Sequence, residues 1–177
     1  MSYMVSQVIL SRVVTQPDAS LQGHPSRPAG PGAAFLLAQI GAHAAARFSE
    51  RIAALDLTPP QTGLLRAVAA NPGQSQQALA RHLGTPPSRL VALVDGLDER
   101  GLVERRRNPT DRRLHALHPT EAGHDLLRRI GEVTHDHDAE ICAGLRDDER
   151  AVLTGLLARI AADRGLTPGV HPGYGRL

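Results

Sequence analysis

Apolar residues recur at every third or fourth position from residue 33 to residue 55. This spacing places side chains on one side of an α-helix. The residues in this row are Leu36, Ile40, Ala44, Phe48, Ile52 and Leu55. The pattern therefore predicts a long first helix over 33–55, with its apolar side buried.

Residues that begin and end helices divide the next part of the chain into three short helices. Thr58 stands before two prolines and predicts the start of the first, which the Asn-Pro-Gly at 71–73 ends. Ser75 predicts the start of the second, which ends at Gly84. Another pair of prolines begins the third, which ends at Gly101. The predicted buried face of this third helix consists of Leu90, Leu93, Val94 and Leu97.

The periodicity then changes from helical to extended. Residues 102–105 and 114–117 predict two short strands joined by a polar turn. Thr120 predicts the start of a further long helix, and Asp147 the start of a last one. The last helix carries the apolar residues Val152, Leu153, Leu156, Leu157 and Ile160. This order predicts a mainly α fold with a small β-wing, in which a winged helix-turn-helix is joined to further helices.

Composition outside these elements sets the limits of the predicted regions. Residues 1–32 are rich in proline and glycine without any period, so we predict a flexible N-terminal arm. The winged helix-turn-helix occupies 57–119, and the remaining helices form a second region from 33–56 and 120–163. The glycine-rich and proline-rich segment 164–177 is predicted to be a flexible tail.

The sequence also indicates where the protein works. No apolar run reaches the roughly 18 residues that a membrane helix needs, and the N-terminus lacks a signal-peptide pattern. A single cysteine, Cys142, excludes an internal disulfide and fits a reducing compartment. We therefore expect a cytoplasmic protein with no membrane partner.

The distribution of charge, more than its total, indicates a partner. The 177 residues include 20 arginines, no lysine and 18 carboxylates, which leaves a formal charge of only +2. Six arginines and two carboxylates lie in 100–113, a balance of +4, whereas 120–163 holds ten carboxylates and five arginines, a balance of −5. Guanidinium groups concentrated on a ribbon can neutralise phosphates. We therefore predict that the hairpin, and not the last two helices, faces double-stranded DNA.

Several motifs follow one another in a fixed order through this region. They are Leu57-Thr58-x-x-Gln61, Gln76-x-x-Leu79-Ala80, Leu93-Val94-Asp95-x-Leu97-Asp98, Gly101-Leu102-Val103-x-Arg105, Pro109-x-Asp111-Arg112-Arg113 and Thr120-x-x-Gly123. Together they resemble the motifs of the multiple-antibiotic-resistance regulator (MarR) family of transcription factors. The resemblance covers about residues 33–163.

The resemblance implies a homodimer in which the first and last helices form a dimerisation region. Two winged helices then bind successive major grooves of a pseudo-palindromic operator, and the protein acts as a repressor. It also implies that Arg113 enters the minor groove, held by an ion pair with Asp111. A small aromatic or phenolic ligand would modulate DNA affinity from a cleft beside the first helix. The residues expected near that cleft are Phe35, His43 and Phe48.

The third short helix is the expected recognition helix. Its face opposite the buried residues consists of Pro87, Ser88, Arg89, Ala92 and Gly96. Arg89 is the candidate base reader, because a guanidinium can donate two hydrogen bonds to guanine. Ser88 and Ala92 are expected to lie beside it in the groove. The hairpin arginines predicted to bind phosphates are Arg105, Arg106, Arg107 and Arg112.

Two positions depart from the family pattern. Val91 and Ala92 stand where many members carry Thr and Arg, so we expect specificity to depend more on the wing and on DNA shape. Pro119 replaces the usual leucine before Thr120, which leaves the end of the second strand open.

The sequence bears on three functions other than DNA binding. The chain has no glycine-rich phosphate loop and no nucleophile elbow, so we predict neither an enzyme nor a cofactor. One alternative is a winged helix that binds a protein, with little specific DNA binding. Another is a redox-sensing regulator using Cys142, although its apolar neighbours favour a buried structural thiol. His135 and His137 stand two apart on a helix and point in different directions, so we predict no metal site.

Overall fold

The computed structural model of the protein describes residues 30–107 and 115–171. Most of the predicted arm, 1–29, and the wing residues 108–114 therefore lie outside the described residues. Within the described ranges, six helices and one antiparallel pair of strands follow the predicted order. They are α1 (Ala33–Ala53), α2 (Pro59–Ala70), α3 (Gln76–Leu83), α4 (Pro87–Glu99), β1 (Val103–Arg107), β2 (His115–Pro119), α5 (Glu121–Ile141) and α6 (Asp147–Asp163).

Side-chain caps fix the starts of the short helices, as predicted. The Thr58 hydroxyl accepts a hydrogen bond from the Gln61 amide, and the Gln61 side chain accepts one from the Thr58 amide at 2.9 Å. This reciprocal arrangement satisfies two amides that a helix leaves unpaired. Ser75 caps α3 through the Ala78 amide, and Gly84 ends it in the left-handed conformation, with φ of 61°.

The end of α4 turns the chain directly into the wing. Gly101 has φ of 66°, and the Leu102 amide donates to the Leu97 carbonyl at 2.9 Å. Glycine enters this conformation without steric penalty, so the helix ends where the sequence predicts. The buried face of α4 is confirmed for Leu90, Val94 and Leu97, whereas Leu93 is only half-buried.

The wing is longer than predicted, and a third segment of the chain pairs with its second strand. β2 continues to Pro119, which lies opposite Val103 at the end of the ladder, whereas the predicted strand ended at residue 117. Proline has no amide to donate and is tolerated at the end of a ladder. On the other side of β2, Ser75 forms an isolated bridge with Ala116. The connection between α2 and α3 therefore anchors the base of the wing, a contact that the sequence did not predict.

One hydrophobic core joins α2, α3, α4, the base of the wing and parts of α1 and α5. The fully buried members include Ile52, Leu64, Leu79, Leu117 and Ile130. Within one protomer, the prediction that the whole apolar row of α1 is buried is wrong. Ile52 is the one buried residue of α1, whereas Leu36 and Ile40 are 40% and 52% exposed. In α6 no residue is buried at all.

Part of the tail forms turns in the structure. Residues 164–171 contain two turns, and Val170 packs against the core. The flexibility of the tail 164–177 stays a prediction. The prediction of a buried Cys142 is also wrong, because this residue ends α5 and is only half-buried. No helix in the described ranges combines the length and the apolar character needed to cross a membrane.

Candidate nucleic-acid interface

The outward face of α4 is short of polar groups. Ser88 and Ala92 are exposed, Val91 is 41% exposed, and Arg89 is half-buried. Gly96 was predicted on this face, but a Cβ there would lie 3.4 Å from the Gln61 side-chain nitrogen, so Gly96 faces α2. The outward face that remains is small, which permits close approach to another surface.

The Arg105 guanidinium joins the wing to α4. It donates hydrogen bonds to the Asp95 and Asp98 carboxylates, which stand one helical turn apart on α4. The Arg105 side chain is only 26% exposed. Both ends of the guanidinium fork are thus used inside the protein, so Arg105 positions the wing against the recognition helix. This is a different role from the predicted phosphate contact.

Two other basic side chains near the wing base also have partners. Arg106 pairs with Glu104 on the same strand at 2.5 Å and is 59% exposed. Arg100 donates to the Asp56 carbonyl at 2.5 Å, which attaches the end of α4 to the loop between α1 and α2. The backbone of Arg107 lies in β1 opposite that of His115.

The carboxylates at the end of α4 change where the net positive charge of this region lies. Residues 95–107 contain four arginines and four carboxylates and are neutral in sum. The basic excess of the region therefore comes from Arg112 and Arg113, beyond the wing base. Both residues, together with Asp111, lie outside the described residues, so their roles stay predictions.

The junction between the wing and α5 is held by contacts of the Thr120 side chain with backbone groups and by close packing at Gly123. The Thr120 hydroxyl donates to the Gly101 carbonyl at 2.6 Å and accepts from the Gly123 amide at 3.0 Å. A Cβ at Gly123 would lie 2.1 Å from the Leu102 carbonyl oxygen. Glycine is therefore required here by close approach, and α5 cannot move without carrying the wing base with it.

Known proteins with similar sequences agree with this arrangement. A family model described as MarR family matches residues 55–114. The proposed transcriptional regulatory protein for the hcr operon of Thauera aromatica is 41% identical over 112 residues, 63% of this chain and 68% of that protein. This chain belongs to the MarR family. It is a DNA-binding transcriptional regulator.

Two solved structures of MarR-family regulators contain a DNA duplex and a small-molecule ligand, respectively. The transcriptional repressor CouR, bound to a 23-mer DNA duplex, is 34% identical, with a TM-score of 0.66 over 73% of this chain and 92% of that one. The MarR family protein Rv2887 of Mycobacterium tuberculosis, in complex with p-aminosalicylic acid, is 25% identical. Its TM-score is 0.61, over 74% of this chain and 99% of that one.

A second candidate site of this MarR-family chain lies between α1 and α5. The Phe48 and His137 rings are 5.5 Å apart. Arg47 and Arg51 both pair with Glu140 across the two helices. Burial, and then the positive charge of Arg51, lower the pKa of His137 below its usual 6.5. The imidazole is therefore held in its neutral form at neutral pH.

A cavity of about 420 Å³ continues along these helices toward the N-terminus of α1. Its lining residues are Gln39, Ile40, His43, Glu140 and Ile141. His43 thus lines this cavity, whereas Phe48 lies further along α1 against His137. Phe35 is 60% exposed and does not line the cavity, so the structure does not bring the three predicted residues together.

The remaining candidates are separated from both sites. His135 is exposed while His137 faces α1, so the two imidazoles do not converge. No group of three or more metal-ligating side chains occurs among the described residues. The Cys142 sulfur lies 4.0 Å from an Asp138 carboxylate oxygen in the turn between α5 and α6.

We call the winged helix-turn-helix, residues 57–119, the reading head. The sequence analysis missed the residues that hold it together. Asp95 and Asp98 appeared only as part of a family motif, and Arg105 was counted as a phosphate ligand. Their spacing carried a signal, because two carboxylates three residues apart on a helix share a face. Extending the charge count from 100–113 back to residue 95 would have shown that these carboxylates balance the wing base.

Proposed function

We propose that the protein is a homodimeric repressor that inserts α4 into the major groove and the wing tip into the adjacent minor groove. The observation that carries this proposal is the fixed geometry between α4 and the wing. Arg105 and its two carboxylates hold both elements in one orientation. A reading head whose parts are fixed in advance loses less entropy when it binds.

Roles within the interface follow from exposure and charge. Ser88, Arg89 and Ala92 lie on the side of α4 proposed to enter the groove, where Arg89 would read guanine and Ala92 would contact a thymine methyl group. Arg106, Arg107 and Arg112 are the proposed phosphate ligands. The minor-groove role belongs to Arg113 and its partner Asp111. Arg105 is a positioning residue, and it is withdrawn from the phosphate set.

The exposed apolar rows supply a dimerisation region. Phe35 and Ile40 of α1 are 60% and 52% exposed, and Val152 and Leu156 of α6 are 62% and 48% exposed. Apolar surface of this extent on two helices is typical of protein interfaces. We propose that 33–56 and 120–163 form the dimerisation region, with the reading head in 57–119. Two reading heads would then meet half-sites about 34–36 Å apart.

Replacing Arg113 with alanine should weaken operator binding about tenfold, because a guanidinium in a narrow minor groove contributes about 1–3 kcal/mol. The full-length protein would first select its operator from a pool of random duplexes. Fluorescence anisotropy would then measure Kd between about 50 and 200 mM salt, where each phosphate contact adds about −0.9 to the log-log slope.

The matched control is Arg128→Ala, which removes an exposed arginine that pairs with Asp125 on the acidic helix α5. It should leave Kd within about twofold of the parent value, since α5 is not proposed to meet DNA. If Arg113→Ala behaved like this control, the minor-groove role would be wrong. Failure to enrich any sequence from the pool would instead favour the alternative of a protein-binding winged helix.

We also propose a small aromatic or phenolic acid as the ligand of the cavity between α1 and α5. Ile40 and Ile141 offer apolar walls for a ring, and Gln39 and His43 offer hydrogen-bonding groups for a carboxyl or phenol. Both helices belong to the proposed dimerisation region. A ligand that fits one dimer shape better would therefore shift DNA affinity by its differential affinity for the two shapes.

Calorimetric titration with p-aminosalicylate, the ligand in the Rv2887 complex, tests this site. His43→Ala should weaken binding of this probe about tenfold, because one hydrogen bond to a charged group contributes about 1.5–3 kcal/mol. Ser49→Ala, at an exposed position on the same helix but outside the cavity and the apolar row, should leave the affinity unchanged. Equal affinities of the two variants would remove His43 from the site.

Family membership identifies a regulator, and we propose that the chain has no catalytic activity of its own. A repressor works where the genome lies. We therefore place the protein in the cytoplasm, on the nucleoid while it is bound to DNA.

A further inference from the structure

The chain after α6 follows a fixed path. The Leu166 amide donates to the Ala161 carbonyl at 3.0 Å and the Gly165 amide donates to the Ala162 carbonyl at 3.0 Å, with Gly165 at φ of 65°. This pair of bonds is the Schellman ending of a helix. It sets the direction in which the chain leaves α6.

A second turn follows two residues later. The Val170 amide donates to the Thr167 carbonyl at 3.2 Å, and Gly169 between them has φ of 72°. Proline at 168 and glycine at 169 are the residues that a type II turn favours at its two central positions. Two turns in seven residues leave little freedom to the segment 165–171, which we name the C-terminal strap.

The C-terminal strap ends beside the reading head. Val170 packs against the core, of which Leu83 at the end of α3 is a member. The strap and residues 81–84 both line a cavity of about 230 Å³. The strap therefore lies beside the turn that leads from α3 into the recognition helix.

The reading head is already attached to α1 and α5. Ile52 of α1 and Ile130 of α5 share its core, and Thr120 joins the start of α5 to the wing base. The helix α6 contributes no residue to that core. The C-terminal strap, which leads from α6 to the end of α3, therefore adds an attachment between the reading head and α6.

We infer that the C-terminal strap fixes the orientation of the reading head relative to α6, with Val170 as the positioning residue. In a homodimer whose halves meet through α6, this orientation sets the separation between the two α4 helices. The strap therefore determines which half-site spacing the protein accepts. The inference rests on the proposed homodimeric operator binding.

Operators with altered spacing test this inference. Adding or removing one base pair at the centre shifts the half-sites by about 3.4 Å and rotates them by about 35°. The parent protein should lose at least about tenfold in affinity on either duplex. Val170→Asp places a charge against the core and should reduce that loss to about threefold, because the head is free to follow the displaced half-site.

Two further variants separate the strap from general stability. Gly169→Val disfavours the second turn without changing Val170, since a β-branched residue resists a positive φ, and it should give the same tolerance of spacing. Val170→Ile keeps the apolar contact and should retain the parent discrimination. Circular dichroism would confirm that each variant is folded.

A measurement without DNA isolates the strap from the proposed function. Spin labels at Gln77 on α3 and Ala151 on α6, in a Cys142→Ser background diluted with unlabelled protein, report the distance between head and dimerisation helix. Val170→Asp should broaden that distance distribution. An unchanged distribution would overturn the inference whether or not the protein binds DNA. A broadened distribution with the parent spacing preference would also overturn it, because the strap would then not set the spacing.

Discussion

Gly123→Ala should destabilise the protein by about 2 kcal/mol or more, although alanine is the better helix former. The added Cβ would lie 2.1 Å from the Leu102 carbonyl oxygen. Both atoms are attached directly to the main chain, so no side-chain rotation can separate them. Helix propensity favours alanine by about 1 kcal/mol. Overpacking against a rigid neighbour costs about 1–3 kcal/mol and sometimes more. The steric term wins here because an overlap of this size can be relieved only by moving α5 away from the wing.

The matched control is Gly131→Ala, on the same helix. Nothing lies within 4 Å of a Cβ at this position, which is exposed. Only the propensity term then acts, so this variant should be stabilised by up to about 1 kcal/mol. Urea unfolding followed by circular dichroism would measure both. Equal free energies of unfolding for the two variants would mean that Gly123 is not required by close approach.

The junction also explains why this glycine accompanies Thr120 in the sequence. Thr120 caps α5 and at the same time donates to the Gly101 carbonyl, so α5 begins against the wing base. The glycine one turn later leaves room for the Leu102 carbonyl. The motif therefore encodes a connection between the wing and α5, beyond a helix start alone.

What the sequence predicted well was governed by local chemistry. Thr58, Ser75 and Thr120 each cap a helix through an amide three residues away, so the residues that decide the start are neighbours in the chain. Gly84 and Gly101 end helices for the same local reason. The order of the elements, and with it the winged-helix fold, follows from such signals.

What the sequence failed to predict was decided by distant contacts. The apolar rows of α1 and α6 show which side of each helix avoids water, but periodicity does not show whether the same chain covers that side. From the sequence alone, Arg105 could pair with DNA phosphates or with the carboxylates of Asp95 and Asp98. The glycine and proline content of 164–177 predicted a flexible tail, whereas Pro168 and Gly169 form a turn beside Val170, which packs against the core. In each case the deciding partner lies elsewhere in the fold.

Leu156→Asp should convert the dimer into monomers at concentrations where the parent protein is dimeric. Leu156 is 48% exposed in the middle of the apolar row of α6. In a twofold interface the substitution places two unpaired carboxylates in apolar surroundings, and each such group costs several kcal/mol. The dissociation constant of the dimer should therefore rise at least about 100-fold, which sedimentation equilibrium would measure.

Ala158→Asp is the matched control, because it adds the same charge to the same helix. Residue 158 lies on the side of α6 opposite the apolar row and is exposed. This variant should remain dimeric. A monomeric Ala158→Asp variant, or a dimeric Leu156→Asp variant, would place the interface elsewhere than on this row.

Duplexes with one and two half-sites show what dimerisation contributes to reading. Linking two heads makes the second binding event intramolecular, which raises affinity about 10²–10⁴-fold without any new contact. Leu156→Asp should therefore lose about 100-fold on the full operator and almost nothing on a single half-site. Equal losses on both duplexes would mean that the substitution damages the reading head itself. The predicted difference arises because Arg105, Thr120 and Gly123 hold that head together within one protomer, independently of the surface that joins two of them.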